Sequence, residues 1–342
     1  MTDSLSNQLL LVTVLAYLVA MIAYAAEFAF GSRGAVARVA FRAREREREL
    51  VGAGAPVLPD AAESASTDAA VDSAPAGVVS PDPAPAGPAG RAVMLGRLAV
   101  TLTVVGYVAH LATIVTRGLA AHRVPWGNMY EFVLAVCFVG ATAWLALVLR
   151  RPAVRPLGMF VTLALIIMLF IDAVRLYTAA GPLMPALNSY WLKIHVTAAV
   201  TASGVLLVGF VAAALTLLRT GYDNGKRRFP YTLGNRLPDA VGLERLTFRV
   251  HAFAFPIWTF AIICGAVWAR EAWTQYWSWD PKETWSFISW VIYAGYLHAR
   301  ATPSVKKTTA TWIAVLGWAT MMINLFAINL VVTGMHSYAG VK

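Results

Sequence analysis

The sequence predicts an all-α integral membrane protein of about eight transmembrane helices. Both termini are expected outside, with a tryptophan-rich external loop between the sixth and seventh spans. Three observations carry that expectation. The 342 residues are 58% hydrophobic and only 13% charged, with a mean hydropathy of +0.62, a composition foreign to soluble domains. Apolar runs of about 20 residues, enough to cross a hydrocarbon core as a helix, recur along the chain. The basic residues behind the net charge of +10 fall mostly in alternate loops.

The first span is read over residues 8–30. It is long enough to cross and lacks a basic leader, so it is expected to be a helix rather than a cleaved signal. Glu27 near its end is an anomaly in so apolar a segment. Residues 31–92 are read as a cytoplasmic linker. Arg33 to Leu50 is Arg-rich and contains the run RAREREREL, while Val51 to Gly90 is dominated by Ala, Pro, Gly, Ser and Asp. Such a stretch has no apolar periodicity and reads as a disordered tether. The membrane core, residues 93–342, supplies spans at 93–116, 129–149, 157–177, 191–218, 248–268, 285–300 and 309–333.

Most of the 28 basic residues lie in the linker, at 150–155, at 219–249 and at 300–307. The positive-inside rule makes those segments cytoplasmic. The tryptophan loop is then external, and the expected location is the plasma membrane with the active face outside. The basic charge is therefore a topology signal and a contact for anionic membrane lipid, not a nucleic-acid footprint. Cys137 and Cys264 stand alone in apolar runs, with no CxxC and no metal spacing, and read as buried small residues.

The chain is organised around Trp268 to Trp290, where Trp268, Trp273, Trp277, Trp279, Trp285 and Trp290 make up six of its twelve tryptophans. One or two tryptophans at a membrane surface need no more than interfacial preference. Six on one loop make an aromatic floor suited to a flat, conjugated ligand. Inside the loop, Asp280-Pro281-Lys282-Glu283 reads as a capping box opening the seventh span. The loop cations Arg270 and Lys282 are able to pair with ligand carboxylates or to sit among headgroups. Upstream, Pro125 to Phe132 (PWGNMYEF) marks a turn and helix start that brings Asn128, Tyr130 and Glu131 together. Asp172 and Arg175, at helical spacing, read as a local ion pair.

Six histidines are the candidate metal ligands. His110, His122, His195 and His336 are all expected toward the external side, and any two of them could share one metal near the tryptophan loop. His298 is different. It lies 18 residues beyond Asp280, so a helix carries it roughly 27 Å away, too far to share a metal with the others. A ligand role for His298 requires a second site, whose partner is either His251 at similar depth or a residue of another protein. For each histidine, a hydrogen-bonded packing role is the plain alternative.

WSWDPKETW and its flanking tryptophans resemble the WWD signature of the haem-handling superfamily. More narrowly, residues 93–342 are similar to the CcsA (also called CcsB or ResC) subunit family of the system II cytochrome c synthase. PWGNMYEF, Trp191 to Val196 (WLKIHV), Tyr296 to Arg300 (YLHAR) and Gly334 to Tyr338 (GMHSY) match in order. The resemblance implies that Trp268, Trp273, Trp277, Trp279, Asp280 and Trp285 belong to an external site for haem b, both bound ligand and substrate. It implies that His195 and His336 are the axial ligands there. It also implies that His298 belongs to a membrane haem site completed by a ResB-type (CcsB-like) subunit. The implied activity is a cytochrome c haem lyase acting on the CxxCH segment of apocytochrome c, with a thiol-reducing protein as a further partner. A haem exporter without ligation activity, or a bis-histidine scaffold for electron transfer, are the other readings.

Overall fold

A computed structural model describes residues 2–30, 88–182, 187–332 and 334–335. Among them every regular element is helical. The long helices are α1 (Thr2–Phe30), α2 (Pro88–Ala121), α3 (Met129–Arg150), α4 (Gly158–Ile171), α5 (Tyr190–Asp223), α6 (Ala240–Trp273), α7 (Pro281–Ala301) and α8 (Lys307–Met322). A 3₁₀ turn at Pro152–Leu157 leads into α4. Turns of π type follow α4 (Asp172–Leu176) and α8 (Ile323–Ala327), and the latter runs into a last helical turn at Ile328–Val331.

Seven segments are long and apolar enough to cross a membrane, so this is a multi-pass membrane protein. The expected seventh span forms as α7, but its Lys282, Glu283, His298, Arg300 and two tryptophans keep it outside that set. Helices are the natural solution here, because a lipid-facing backbone must satisfy its own N–H and C=O groups. Side chains finish the work at the helix starts. Asn128 accepts from Glu131 N, Ser189 from Trp191 N and Asp239 from Gly242 N. Several helices outrun the expected boundaries. α6 begins at Ala240 because Asp239 caps it there, and α2 begins at Pro88, inside the segment read as linker. Residues 31–87 of that linker lie outside the described residues.

α5 is the hub. In its most apolar stretch 83% is buried, against 28–50% in the other spans. It packs along α6, α3 and α8, while α1 pairs with α2 and leans on α4. Small residues make the approach possible. A Cβ on Gly204 would come within 2.6 Å of Val139 Cβ and 2.7 Å of the Val136 carbonyl. The helices alternate in direction, so the starts of α1, α3, α5 and α7 share one end of the bundle with the ends of α2, α4, α6 and α8. There Asn7 donates to the Tyr177 hydroxyl at 3.1 Å, and Ser189 bonds Glu271. At the opposite end Arg155 Nε donates to Glu27 Oε1 at 2.7 Å and Arg300 binds Glu244. Glu27, the anomaly of the first span, is the carboxylate half of a buried pair.

Gly204→Ala is expected to lower the stability of the detergent-solubilised protein by about 1–3 kcal/mol through overpacking. Gly295→Ala, where a Cβ meets nothing within 4 Å, should leave it unchanged. Thermal unfolding followed by tryptophan fluorescence distinguishes the two.

Candidate functional site

The tryptophan loop is held by its own carboxylates. α6 stops where Thr274 turns left-handed at φ +65°, its N–H bonded to the Arg270 carbonyl at 3.1 Å. Trp279 is also left-handed at φ +59°, a conformation that a bulky residue keeps only when its surroundings impose it. The surroundings are evident. Glu283 Oε2 accepts from Ser278 N at 2.8 Å, Ser278 Oγ at 3.1 Å and Asp280 N at 3.2 Å. Asp280 Oδ1 accepts from Lys282 N at 3.1 Å, and the Asp280 side chain also accepts from the Glu283 N–H, which with the Glu283 bond to Asp280 N makes the expected capping box. Asp280 does one thing the sequence does not reveal. Its Oδ2 accepts the Met335 N–H at 2.7 Å, tying the chain beyond α8 to the start of α7. Gly334 permits this, since a Cβ there would lie 2.5 Å from Oδ2. His336 is the next residue along and lies outside the described residues.

Beneath the loop, a cavity opens between α3, α5, α6, α7 and the turn after α8. It encloses about 1000 Å³ when the space at its mouth is counted. Trp268, Trp273, Tyr276 and Trp277 line it, with His195 on the α5 wall. His195 Nδ1 lies 2.8 Å from the Ala261 carbonyl. That contact places the ring proton on Nδ1 and the lone pair on Nε2, the arrangement that orients an imidazole for a metal. The ring stacks on Trp268 with centroids 6.2 Å apart and planes 12° apart. Gly265 makes the slot, because a Cβ there would come within 2.8 Å of the ring. Trp268 itself is buried, with Trp273 edge-on at 4.8 Å.

The expected floor of six tryptophans divides. Trp268, Trp273 and Trp277 line the cavity, whereas Trp279, Trp285 and Trp290 do not. Trp279 is 66% exposed and stands edge-on to Trp277 at 5.8 Å. Trp290 stacks on Phe287 and donates to Thr259 Oγ1 at 2.9 Å. The left-handed turn at Trp279 swings its ring outward, which spacing alone does not show.

The loop cations also divide. Arg270 is exposed, binds the Thr274 carbonyl and lies 5.9 Å over Tyr276. Lys282 lines the cavity, with Nζ 3.5 Å from the Met129 sulfur. Burial, partly offset by the Asp280 carboxylate, pulls its ammonium down to about 8. Asn128, Tyr130 and Glu131 sit behind the wall rather than in it. Glu131 is buried and accepts from Arg117 Nε at 3.2 Å, Arg123 Nη1 at 2.7 Å and Gly127 N at 2.8 Å. Tyr130 lies under the Arg117 guanidinium at 4.5 Å, and Asn128 is the cap. The neighbours Met129 and Phe132 reach the cavity instead. Asn324 was also missed. It lines the cavity from the π turn after α8, donates to Ser286 Oγ at 2.9 Å, and leaves its own carbonyl oxygen without a partner among the described residues. An Asn in an apolar span was the available signal, and the π turn directs it inward.

The other histidines are elsewhere. His110 is buried among α1, α2 and α3, with Nδ1 3.4 Å from the Tyr17 hydroxyl. His122 is exposed at the end of α2. Neither lines the cavity that His195 faces. His251 bonds the Thr247 carbonyl at 2.8 Å and is enclosed by Tyr293 and Tyr296, whereas His298 is exposed on the outside of α7. The two do not face one another, so His251 is no partner for His298. Nor do Asp172 and Arg175 pair. The turn that contains them is π, not α, so i and i+3 diverge: Asp172 points inward, buried, and Arg175 is exposed.

Among the described residues, no three His, Cys, Asp or Glu side chains gather as a metal site. A single oriented imidazole in an aromatic cavity instead suits a planar metal complex that brings its own in-plane ligands. The cytochrome c assembly protein family model matches residues 126–336, a stretch that contains every wall of this cavity. The chain belongs to that family. It is 33% identical over 242 residues to the cytochrome c biogenesis protein CcsA of Guillardia theta, covering 65% of this chain and 79% of that protein. The CcsA of Pyropia yezoensis is 31% identical over 284 residues, 71% and 88% of the two chains. That of Gloeobacter violaceus is 29% identical over 297 residues, 72% and 88%.

Asp280→Ala is expected to cost about 1 kcal/mol through the lost cap and to speed amide exchange at Met335 by tenfold or more. Hydrogen exchange read by mass spectrometry checks it. Unchanged protection at Met335 would mean the carboxylate does not hold that segment.

Proposed function

We propose that this chain is the haem-binding membrane subunit of a cytochrome c synthase, acting with a ResB-type partner. Family membership supports a role in cytochrome c maturation, and the orientation of His195 carries the haem step. In this reading the cavity receives haem b as substrate at the external face of the plasma membrane. The walls of Trp268, Trp273 and Trp277 screen the porphyrin from water, and His195 Nε2 ligates iron on one side. His336 supplies the opposite ligand, a role supported by the Asp280 contact to the residue before it.

His298, roughly 27 Å along α7 from Asp280, belongs to a separate stop within the membrane. Its exposure on the outside of α7 suits completion by another protein's ligand rather than by this chain. Haem then passes from that stop to the cavity, where a CxxCH segment of apocytochrome c enters. Each cysteine S–H adds across one vinyl C=C, sulfur to the carbon beside the ring and hydrogen to the terminal carbon. The addition is redox-neutral, so a thiol-reducing protein is needed only to keep the cysteines free. The chain's contribution is positioning, which holds thiol and vinyl in near-attack geometry.

The test is co-expression with a ResB-type partner and an apocytochrome, followed by assay of covalently attached haem. His195→Ala should lower the product at least tenfold, with partial recovery on adding imidazole. Unchanged product would remove His195 from the reaction. Haem bound by the wild type with no covalent product would favour an exporter.

A further inference from the structure

Lys282 is placed where a lysine has little reason to be. It occupies the first turn of α7, where the helix dipole disfavours a cation, and its side chain faces the cavity rather than solvent. Two carboxylates are near enough to neutralise it, and both are committed elsewhere. Glu283 Oε2 takes three donors from Ser278 and Asp280. Asp280 spends its oxygens on the backbone N–H groups of Lys282, Glu283 and Met335. Among the described residues the one hydrogen-bond partner of Lys282 Nζ is the Met129 thioether sulfur at 3.5 Å, a weak acceptor. An ammonium in a cavity wall whose neighbouring carboxylates are engaged with the backbone is costly, and the cost is relieved by a ligand that brings its own anion. The alternative cation, Arg270, is turned away onto Tyr276 and the Thr274 carbonyl.

We propose that Lys282 is the carboxylate-recognition residue of the cavity, pairing through Nζ with an acidic side arm of the ligand while His195 faces its metal. The inference rests on the haem reading above and deepens it, since haem carries two propionates at one edge of the ring. Lys282 thereby fixes the in-plane rotation of the porphyrin. Once one edge is pinned, the vinyl-bearing edge is presented in a defined direction, which a lone axial bond from His195 does not ensure.

The experiment titrates haem and haem dimethyl ester, in which the propionates are neutral, into the purified full chain. Binding is followed by absorbance in the His298→Ala background, so that only the cavity reports. The wild-type cavity should prefer haem over the ester by about tenfold or more, the scale of a charge-assisted pair. Lys282→Met, similar in length and uncharged, should abolish the preference by weakening haem and sparing the ester. Lys282→Arg should retain it. If Lys282→Met keeps the full preference, or the wild-type cavity binds both compounds equally, the recognition role is overturned while the haem reading stands. Binding of neither compound by the wild type overturns the haem reading and this inference with it. Should Lys282→Met fold poorly, Lys282→Gln, likewise uncharged, makes the same comparison, and a full preference in that variant overturns the role.

Discussion

Two carboxylates at the start of α7 bind backbone N–H groups, and much of the site follows from that choice. Glu283 draws Ser278 and Asp280 inward, closing the loop over the cavity. The left-handed turn at Trp279 sits inside that closure. Asp280 reaches the other way and holds the segment after α8. Because both anions are engaged with the backbone, Lys282 faces the cavity with a thioether as its Nζ hydrogen-bond partner among the described residues. Cap, loop closure, C-terminal tether and cavity charge are four consequences of one short sequence, Asp280-Pro281-Lys282-Glu283. Charge-assisted bonds to backbone donors are among the stronger polar contacts available near a membrane surface, and here they replace the packing that a loop at the end of the bundle cannot supply.

The bundle beneath provides what the loop cannot, a rigid place for one imidazole. α5 is the most buried of the spans, and small residues let its neighbours approach closely. His195 lies in the second turn of this helix, with its proton held by the Ala261 carbonyl across the α5–α6 contact. The ring is confined between Gly265 and Trp268. A residue of the most buried helix, bonded to the backbone of the next, is a better-fixed ligand than any residue of a loop. The same packing explains why PWGNMYEF contributes walls and anchors in alternation. Glu131 gathers two arginines behind the cavity, while Met129 and Phe132 face into it.

Much of this was legible in the sequence. Span length and apolarity gave the helices, and Asp-Pro-Lys-Glu gave the start of α7, because both signals are local. Helix pitch separates His298 from His195, and the structure places them near opposite ends of the bundle. What failed depended on direction rather than position. Six tryptophans in one loop do not say which rings turn inward, and the outward turn at Trp279 divided them. Asp172 and Arg175 have α-helical spacing but lie in a π turn. His110 and His122 share a side of the membrane with His195, yet packing against α1 and α3 takes one away and exposure takes the other. Asn324 and the Asp280 bond to Met335 are long-range juxtapositions that no local pattern encodes.

The most direct test of the account is the absorption spectrum of the purified chain, oxidised and reduced, for wild type and for the His195→Ala variant with His298 intact. Haem that co-purifies with a low-spin, bis-histidine spectrum, and that becomes high-spin or is lost when His195 is replaced, is the predicted result. A haem spectrum identical in both proteins, or no haem in either, would contradict the claim that His195 is an axial ligand in this cavity.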